Sequence, residues 1–459
     1  MPPSTTVPSS IELPCAQNLP WQESPVIAGS TDNRMISPLS RRRFLRDAAL
    51  GLAAASAFPI RAASKDPVAA LAKAFDPVIE KFMHERGVPG GALAVVKDRK
   101  LVYTKGYGWA DRDKKLAVQP DTLFRIASVS KPFTAVAVFK LIEQGKFSLD
   151  AKAVELAGIE PLLANGTKGD ARLERITVLQ LLQHTGGWDR DTSGDPMFKA
   201  VPIATLVGEA PPAGPRAVIR YVLGRPLDFD PGTRYAYSNF GYCLLGRIIE
   251  KISGQSYESF VRENVLKTAG ITRMKIGSTR EQAVGESRYY TVDTKEASNV
   301  FPDGPRKVPW PYGGFHLEAM DAHGAWIASA VDLARLAAAM DDSEHSPLLK
   351  PNSWKEMFNP PPAPVSRRED GELNSVFYGC GWQVRPKTKT GRINFWHLGS
   401  LPGTASLLVR RGDGISYAVL FNQRSENLKL GDSAIDPALY AAADFVKKWP
   451  EEDLFAKWK

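Results

Sequence analysis

The chain contains little cysteine and little histidine. Its 459 residues include three cysteines and six histidines, and neither a CxxC nor an HExxH spacing occurs. These absences argue against a disulfide framework and the common zinc sites, so we expect no metal and no other cofactor. A GxSxG sequence is also absent, which excludes the nucleophile turn of an α/β-hydrolase. The net charge of +9 comes from basic residues mixed with acidic ones, a distribution that argues against nucleic-acid binding.

Long apolar runs are absent as well. The longest uncharged stretch near the N-terminus, Ala48–Ile60, has thirteen residues, fewer than the ~20 that span a membrane. It follows the basic segment Arg41–Arg43, and the two together resemble a bacterial twin-arginine export signal. We therefore expect residues 1–57 to be a leader and signal peptide that the twin-arginine export machinery reads. The mature chain, residues 58–459, is then periplasmic or secreted.

The apolar pattern changes from strand-like to helical and back along the chain. It predicts a helix over Pro67–Glu85, a strand hairpin over residues 92–107 and mainly helical structure over residues 128–318. Further strands are predicted at Tyr378–Val384, Ile393–His397, Ser406–Arg410 and Ser416–Phe421, before a last helix over residues 437–449. We therefore expect an α+β fold with an antiparallel sheet flanked by helices. The sheet subdomain takes residues 65–125 and 320–459, and the helical subdomain, residues 126–319, is inserted between them.

A candidate nucleophile and base lie at the start of the helical region. Ser128 and Lys131 are three residues apart, so on a helix that runs to Glu143 their side chains share a face. The lysine amine can take the serine proton if burial lowers the lysine pKa. Pro132 suits a first helical turn, which places Ser128 where the helix dipole stabilises an oxyanion. An SxxK spacing alone is weak evidence, because a helix cap beside a solvated lysine gives the same letters.

Two further segments, in this order, give the SxxK spacing more weight. Tyr235–Gly241 reads YAYSNFG, and Trp396–Gly403 reads WHLGSLPG near the C-terminus. With Leu181–Gly187, these elements resemble the serine β-lactamase and penicillin-binding-protein superfamily. The likeness is greatest to its class C branch, with the DD-carboxypeptidases and the family VIII esterases. It extends from about residue 67 to the C-terminus and implies a serine hydrolase with the fold of that superfamily.

The resemblance also implies roles for individual residues. Ser128 matches the nucleophile that becomes acylated, and Lys131 matches its partner base. Tyr237 matches the tyrosine that relays protons to the leaving group and to the deacylating water. Asn239 matches the residue that holds the amide or acyl side chain of the substrate.

The third motif is His397-Leu398-Gly399, where lactamases carry KTG and esterase-like members often carry HxG. The resemblance implies an oxyanion hole made by the backbone N–H groups of Ser128 and Ser400. Gly399 lacks a side chain, so we expect the substrate to approach the strand edge closely there. A literal KTG also occurs at residues 389–391, but it follows a proline and reads as a turn, so we choose His397 instead.

Other residues near these motifs are expected to be structural. We expect His184 to orient a loop rather than to react, and Tyr235 and Tyr242 to serve in packing. The segment 189–216 forms either a cleft wall or a surface loop. Cys243 and Cys380 are expected to be buried thiols, although a disulfide between them stays open. Translation starts at Met1 or at Met35.

The histidine of the third motif affects the choice of reaction. A histidine is largely neutral near pH 7, so a substrate carboxylate is attracted less than by a lysine. We therefore expect an esterase or an amide or peptide hydrolase acting on a small acyl substrate, peptidoglycan fragments included. One alternative is a β-lactamase or D-Ala-D-Ala carboxypeptidase. Another is a penicillin-binding sensor or cell-wall-binding protein that turns over little.

Overall fold

The structure of the chain, a computed structural model, describes residues 67–164, 168–386, 388–426 and 430–458. The leader and export signal expected over residues 1–57 lie outside these ranges. Of the helices in the described ranges, none combines the length and the apolar character needed to cross a membrane.

Strands from both ends of the described chain form one antiparallel sheet. The strands are β1 (Gly90–Lys97), β2 (Lys100–Asp111), β3 (Leu116–Ala117), β4 (Phe124–Arg125), β5 (Lys275–Ile276), β6 (Glu296–Ser298), β7 (Lys307–Pro309), β8 (Trp326–Ala328), β9 (Phe377–Tyr378), β10 (Gln383–Arg385), β11 (Asn394–Leu401), β12 (Thr404–Arg410) and β13 (Ile415–Phe421). Eight of them form the large sheet in the order β3-β2-β1-β13-β12-β11-β10-β9. Strand β1 pairs with β13, from Gly91 opposite Phe421 to Lys97 opposite Ile415. The expected α+β fold is therefore confirmed.

Helices cover both faces of this sheet. They are α1 (Pro67–Arg86), α2 (Ser130–Glu143), α3 (Ala153–Ala157), α4 (Val178–Leu182), α5 (Arg190–Ser193), α6 (Ala200–Val207), α7 (Pro215–Leu223), α8 (Asn239–Ser253), α9 (Tyr257–Val261), α10 (Ala330–Ala339), α11 (Pro351–Met357) and α12 (Ile435–Phe445). Ten of these, α2 to α11, lie in sequence between the two portions of the large sheet.

The alternation of side chains along the central strands separates two apolar cores. On β1, Leu93 and Val95 belong to a core shared with α1 and α12. Ala94 and Val96 point to the opposite face, where the larger core includes residues of α2, α8 and α10. The candidate catalytic residues lie on this second face, where α2 begins against β11 and β12.

Two sequence-based boundaries differ from the structure for local reasons. Helix α2 begins at Ser130, and Ser128 lies just before it in the 3-10 turn Ala127–Val129. The single strand predicted over Tyr378–Val384 is two strands, β9 and β10, separated by a corner at Gly381 with φ +83°. A Cβ on Gly381 would lie 2.7 Å from the Ala135 Cβ, so the corner packs directly on α2.

Cys243 on α8 and Cys380 beside the corner are both buried and unpaired. Burial raises the pKa of the Cys243 thiol to about 12. The expectation of buried thiols is confirmed, and neither cysteine has the character of a nucleophile.

Candidate active site

Strand β12 holds the turn that carries Ser128. The Ser406 hydroxyl donates to the Ile126 carbonyl at 2.7 Å, and the Thr404 hydroxyl donates to the Arg125 carbonyl at 2.7 Å. Ala127 adopts a φ of +47°, a conformation that non-glycine residues rarely adopt and that clusters at functional sites. Ser128 is half-buried, and the turn places it at the N-terminus of α2.

Lys131 is fully buried and makes three polar contacts through its Nζ atom. The contacts are with Ser128 Oγ at 3.1 Å, Asn239 Oδ1 at 2.8 Å and the His323 carbonyl at 3.1 Å. Burial holds the pKa of Lys131 well below the ordinary lysine value; the Arg190 charge lowers it further, and the Asp195 charge opposes the shift. A neutral amine has two N–H donors and one lone pair, so it can donate to the two carbonyl-type oxygens and accept from the Ser128 hydroxyl. This is the arrangement that a general base requires.

Tyr237 completes a group of three around the candidate nucleophile. Its ring centroid lies 4.7 Å from Lys131 Nζ, and its phenol is close enough to the Ser128 side chain for that side chain to affect its pKa. Burial raises the pKa of the Tyr237 phenol above the usual tyrosine value, against smaller opposing effects of the Ser128 side chain and the Arg190 charge. The phenol is therefore protonated at neutral pH and can donate a proton beside Ser128.

His184 lies in the layer of rings behind Tyr237. Its ring centroid is 4.3 Å from that of Tyr237 and 4.4 Å from that of Tyr378. The Ser238 N–H donates to its Nδ1 at 3.2 Å, and its carbonyl accepts from the Ala236 N–H at 2.9 Å. Burial holds the pKa of His184 well below the usual histidine value. The ring thus packs behind the Tyr237 loop as a neutral group, as expected for a residue that orients the loop.

The beginning of the 189–216 segment forms a wall of the site. The Asn239 amide Nδ2 donates to Asp195 Oδ2 at 2.6 Å, which leaves its Oδ1 to accept from Lys131. The Arg190 guanidinium lies 4.7 Å from the centroid of the Tyr237 ring. Of the two expectations for this segment, the cleft wall is therefore correct for residues 190–195.

The third motif lies on β11, but its histidine is enclosed. His397 is 4% exposed; its Nε2 accepts from the Tyr378 hydroxyl at 2.8 Å, and its Nδ1 donates to the Leu398 carbonyl at 2.6 Å. Burial lowers the pKa of His397 to about 3, and a charge on Lys131, when that amine is protonated, acts in the same direction. The ring is therefore neutral, and both of its nitrogens are hydrogen-bonded within the protein. The predicted contact of His397 with substrate stays a prediction.

Gly399 contacts the nucleophile turn rather than an open strand edge. A Cβ on Gly399 would lie 2.3 Å from the Ile126 carbonyl oxygen and 3.1 Å from the Ser128 backbone nitrogen. This glycine therefore allows a close approach of backbone to backbone, and the close approach of a substrate stays a prediction. The predicted oxyanion hole between Ser128 and Ser400 stays a prediction, although this packing brings the motif against the turn.

The alternative third motif lies away from this site. Lys389 is exposed in the turn between β10 and β11, and Gly391 has a φ of +72°. The Thr390 hydroxyl accepts from the Arg392 N–H within the same turn.

The two tyrosines that were expected to serve in packing differ in exposure. Tyr242 is fully buried and donates to the Leu182 carbonyl, whereas Tyr235 is 42% exposed.

Sequence reasoning missed four contributors to this site: Arg190, Asp195, Tyr378 and the carbonyl of His323. None lies within a recognised motif, and each reaches the site through a contact distant in sequence. The sequence pointed only to Arg190 and Asp195, because they belong to the 189–216 segment that was considered as a cleft wall. Within the described residues no three His, Cys, Asp or Glu side chains are grouped as metal ligands would be.

Comparison with known proteins places these residues in a family. A family model described as Beta-lactamase matches residues 75–440. The chain belongs to the β-lactamase family. The superfamily resemblance inferred from the motifs is thereby confirmed. The fold described above is the fold that this resemblance implied.

Relatives of this β-lactamase-family chain include penicillin-binding proteins. It is 33% identical over 356 residues to protein flp of Staphylococcus aureus strain MW2, an alignment that covers 76% of this chain and 63% of flp. It is 24% identical to penicillin-binding protein 4* of Bacillus subtilis, with 78% and 72% covered. The octameric penicillin-binding protein homologue from Pyrococcus abyssi is 26% identical, with a TM-score of 0.61 and with 83% and 79% covered. The chain therefore spans less than two thirds of the length of flp.

Proposed function

We propose that this β-lactamase-family chain hydrolyses small esters or amides through an acyl-enzyme on Ser128. The observation that carries the proposal is the buried Lys131 amine, which is 3.1 Å from Ser128 Oγ and has both of its N–H donors satisfied elsewhere. Only the lone pair of a neutral amine is left to face the serine hydroxyl, so the pair is organised for proton transfer.

Acylation then needs a base at the Ser128 hydroxyl and an acid at the leaving group. The Ser128 hydroxyl proton passes to Lys131 as Oγ bonds to the scissile carbonyl carbon, which forms a tetrahedral oxyanion. Tyr237 donates its phenolic proton to the leaving group as the carbon–leaving-group bond breaks, and Lys131 returns a proton to Tyr237. The net result is an acyl-Ser128 ester, a leaving group that carries the Tyr237 proton, and a Tyr237 phenol that is protonated again.

Deacylation reverses these roles with water. Water gives one proton to the Lys131–Tyr237 pair and bonds to the acyl carbon, and the Ser128 Oγ–carbon bond then breaks. Oγ regains a proton from the same pair, so the enzyme is restored and one water is consumed for each bond hydrolysed. No group outside the chain is needed in this scheme.

The charges around the site support esters and amides over substrates that depend on a carboxylate contact at the third motif. His397 is neutral and enclosed, so β11 offers no cation of the kind a KTG lysine supplies. Arg190 is positively charged, but it lies over the Tyr237 ring and belongs to the 189–216 segment, not to β11. A β-lactamase, a D-Ala-D-Ala carboxypeptidase and a slowly turning-over penicillin-binding sensor are therefore the alternatives that the test must separate.

The test measures nitrophenyl butyrate hydrolysis by the wild type, Ser128→Ala and Ser130→Ala. Ser130 is the matched control, because its hydroxyl is buried two residues away with no hydrogen-bond partner. We expect Ser128→Ala to abolish turnover and Ser130→Ala to retain it. Equal turnover by Ser128→Ala and the wild type would remove Ser128 as the nucleophile.

A fluorescent penicillin separates the alternatives. We expect little labelling and little penicillin hydrolysis by the wild type. Stable Ser128-dependent labelling without ester turnover would favour the sensor, and rapid penicillin hydrolysis would favour a lactamase. Release of D-alanine from a D-Ala-D-Ala peptide, faster than ester hydrolysis, would favour a carboxypeptidase.

We also propose that the chain is exported to the periplasm or beyond through the twin-arginine machinery. The support is the sequence alone: Arg41–Arg43 followed by the uncharged stretch Ala48–Ile60. Residues 1–63 fused to a reporter are expected to direct it out of the bacterial cytoplasm. Joint replacement of Arg41 and Arg42 by lysine should retain the reporter inside, and export that survives this change would contradict the proposal.

A further inference from the structure

Asp195 presents a carboxylate at the wall of the active site. Its Oδ2 accepts from the Asn239 Nδ2 at 2.6 Å, and its Oδ1 accepts from the Met197 N–H at 3.0 Å. Gly194 precedes it with a φ of +74° and Pro196 follows it at the start of a 3-10 turn, so the backbone fixes its position. A carboxylate has about four lone-pair directions, and these two bonds leave part of that capacity unused.

The charge of Asp195 has no direct partner in the described part of the chain. No described lysine, arginine or histidine lies within ion-pair distance of it, although the neighbouring Asp189 pairs with Arg234 at 2.8 Å. Lys131 shares Asn239 with Asp195 but does not contact it, and burial holds the Lys131 pKa well below the ordinary lysine value. A half-buried, unpaired carboxylate carries a desolvation cost that a cationic ligand can relieve.

The position of this carboxylate is defined relative to the reacting bond. Hydrogen bonds of 2.6, 2.8 and 3.1 Å run in series from Asp195 through Asn239 and Lys131 to Ser128 Oγ. Asp195 and Ser128 therefore contact the same Asn239–Lys131 pair and border one part of the site. A cationic group near the scissile carbonyl of a substrate is the kind of group that this carboxylate can bind.

We propose that Asp195 binds the ammonium group of the substrate, so that the site selects amides and esters of amino acids with a free amino group. The inference rests on the proposed hydrolysis at Ser128 and adds to it the class of substrate. Asp195 is a specificity residue in this proposal: it contacts the substrate and takes no proton in the reaction.

Arg190 lies on the same short segment and carries a charge opposite to that of Asp195, so it provides an independent test of the proposal. Its guanidinium lies over the Tyr237 ring, and the nearest carboxylate recorded for it is that of the exposed Asp191 at 4.0 Å. This positive charge opposes the binding of an ammonium group nearby. Removal of the Arg190 charge and removal of the Asp195 charge are therefore expected to change the preference for cationic substrates in opposite directions.

The experiment compares alanine p-nitroanilide with its N-acetyl derivative, as both D and L enantiomers, in the full chain. The two compounds share one leaving group and differ in the charge of the amino nitrogen. For the better enantiomer we expect the wild type to favour the free amine by about 10- to 100-fold in kcat/KM, the range of a charge-assisted hydrogen bond. Asp195→Asn, which retains an oxygen acceptor, should reduce this ratio at least about tenfold, mainly through KM. Arg190→Gln should raise it.

Nitrophenyl butyrate, measured on the same variants, separates this inference from the proposed function. If Ser128-dependent ester hydrolysis is intact and Asp195→Asn leaves the amine preference unchanged, the inference is wrong and the proposed function stands. If neither anilide is hydrolysed, the ratio of inhibition constants for alaninamide and N-acetylalaninamide against the ester replaces the kcat/KM ratio. An equal ratio in the wild type and Asp195→Asn would overturn the inference in that assay as well.

Discussion

Replacement of Gly399 by alanine tests how the third motif supports the nucleophile. The new Cβ would lie 2.2 Å from the Ser406 hydroxyl oxygen and 2.3 Å from the Ile126 carbonyl oxygen. Ordinary contact begins near 3.4 Å, so the strand and the nucleophile turn must separate by about 1 Å. The Ser406 hydroxyl cannot simply rotate away, because it donates to that same carbonyl.

The magnitudes follow from this displacement. Overpacking of a rigid interior costs about 1–3 kcal/mol of unfolding free energy. A shift of about 1 Å in the backbone beside a nucleophile lowers kcat/KM by about 100-fold. We therefore expect Gly399→Ala to unfold at lower urea and to hydrolyse nitrophenyl butyrate about 100-fold more slowly, with most of the loss in kcat.

Gly214→Ala is the matched control. Gly214 has a φ of −81°, and a Cβ there would meet nothing within 4 Å. We expect its unfolding free energy to change by less than about 1 kcal/mol, because a weaker helix cap and a stiffer unfolded chain act in opposite directions. Its activity should be that of the wild type. A Gly399→Ala variant as stable and active as Gly214→Ala would refute the packing argument.

Two further predictions concern proton transfer. Tyr237→Phe should lower kcat by about 10²- to 10⁴-fold and leave KM within about threefold, because a proton donor is lost but not a binding group; a large rise in KM with unchanged kcat would contradict this. For a neutral ester, kcat/KM should fall as the pH falls through the depressed pKa of Lys131, because the amine is then protonated. Asp195→Asn should shift this acidic limb to lower pH and Arg190→Gln to higher pH, since Asp195 raises and Arg190 lowers the Lys131 pKa. Shifts in the same direction would show that Lys131 is not the titrating base.

The spacing of residues along the chain was enough to predict the nucleophile and its base. Residues three apart at a helix start lie on one face whatever the rest of the chain does, so Ser128 and Lys131 could be paired from the sequence. Strand periodicity likewise predicted β1, β2 and the strands near the C-terminus, because alternation is a property of each segment. The hairpin at Asp98 and Arg99, with φ values of 48° and 67°, was also predictable from its two-residue length.

Other features depend on contacts that spacing does not encode. The strand predicted over Tyr378–Val384 breaks at Gly381 because that corner packs on α2, an element far away in sequence. Gly399 packs against the carbonyl of Ile126, a contact that the motif alone does not reveal. His397 accepts from Tyr378, which lies on another strand.

The sequence by itself determined the family, the order of the motifs and the identity of Ser128 and Lys131 as a pair. Only the tertiary structure decided that the pKa of the amine is lowered, because its burial and its contacts with Asn239 and the His323 carbonyl come from residues 108 and 192 positions away. It also placed Asp195 beside Asn239. The free energy of a charge depends on everything packed around it, and that environment exists only once distant segments have folded together.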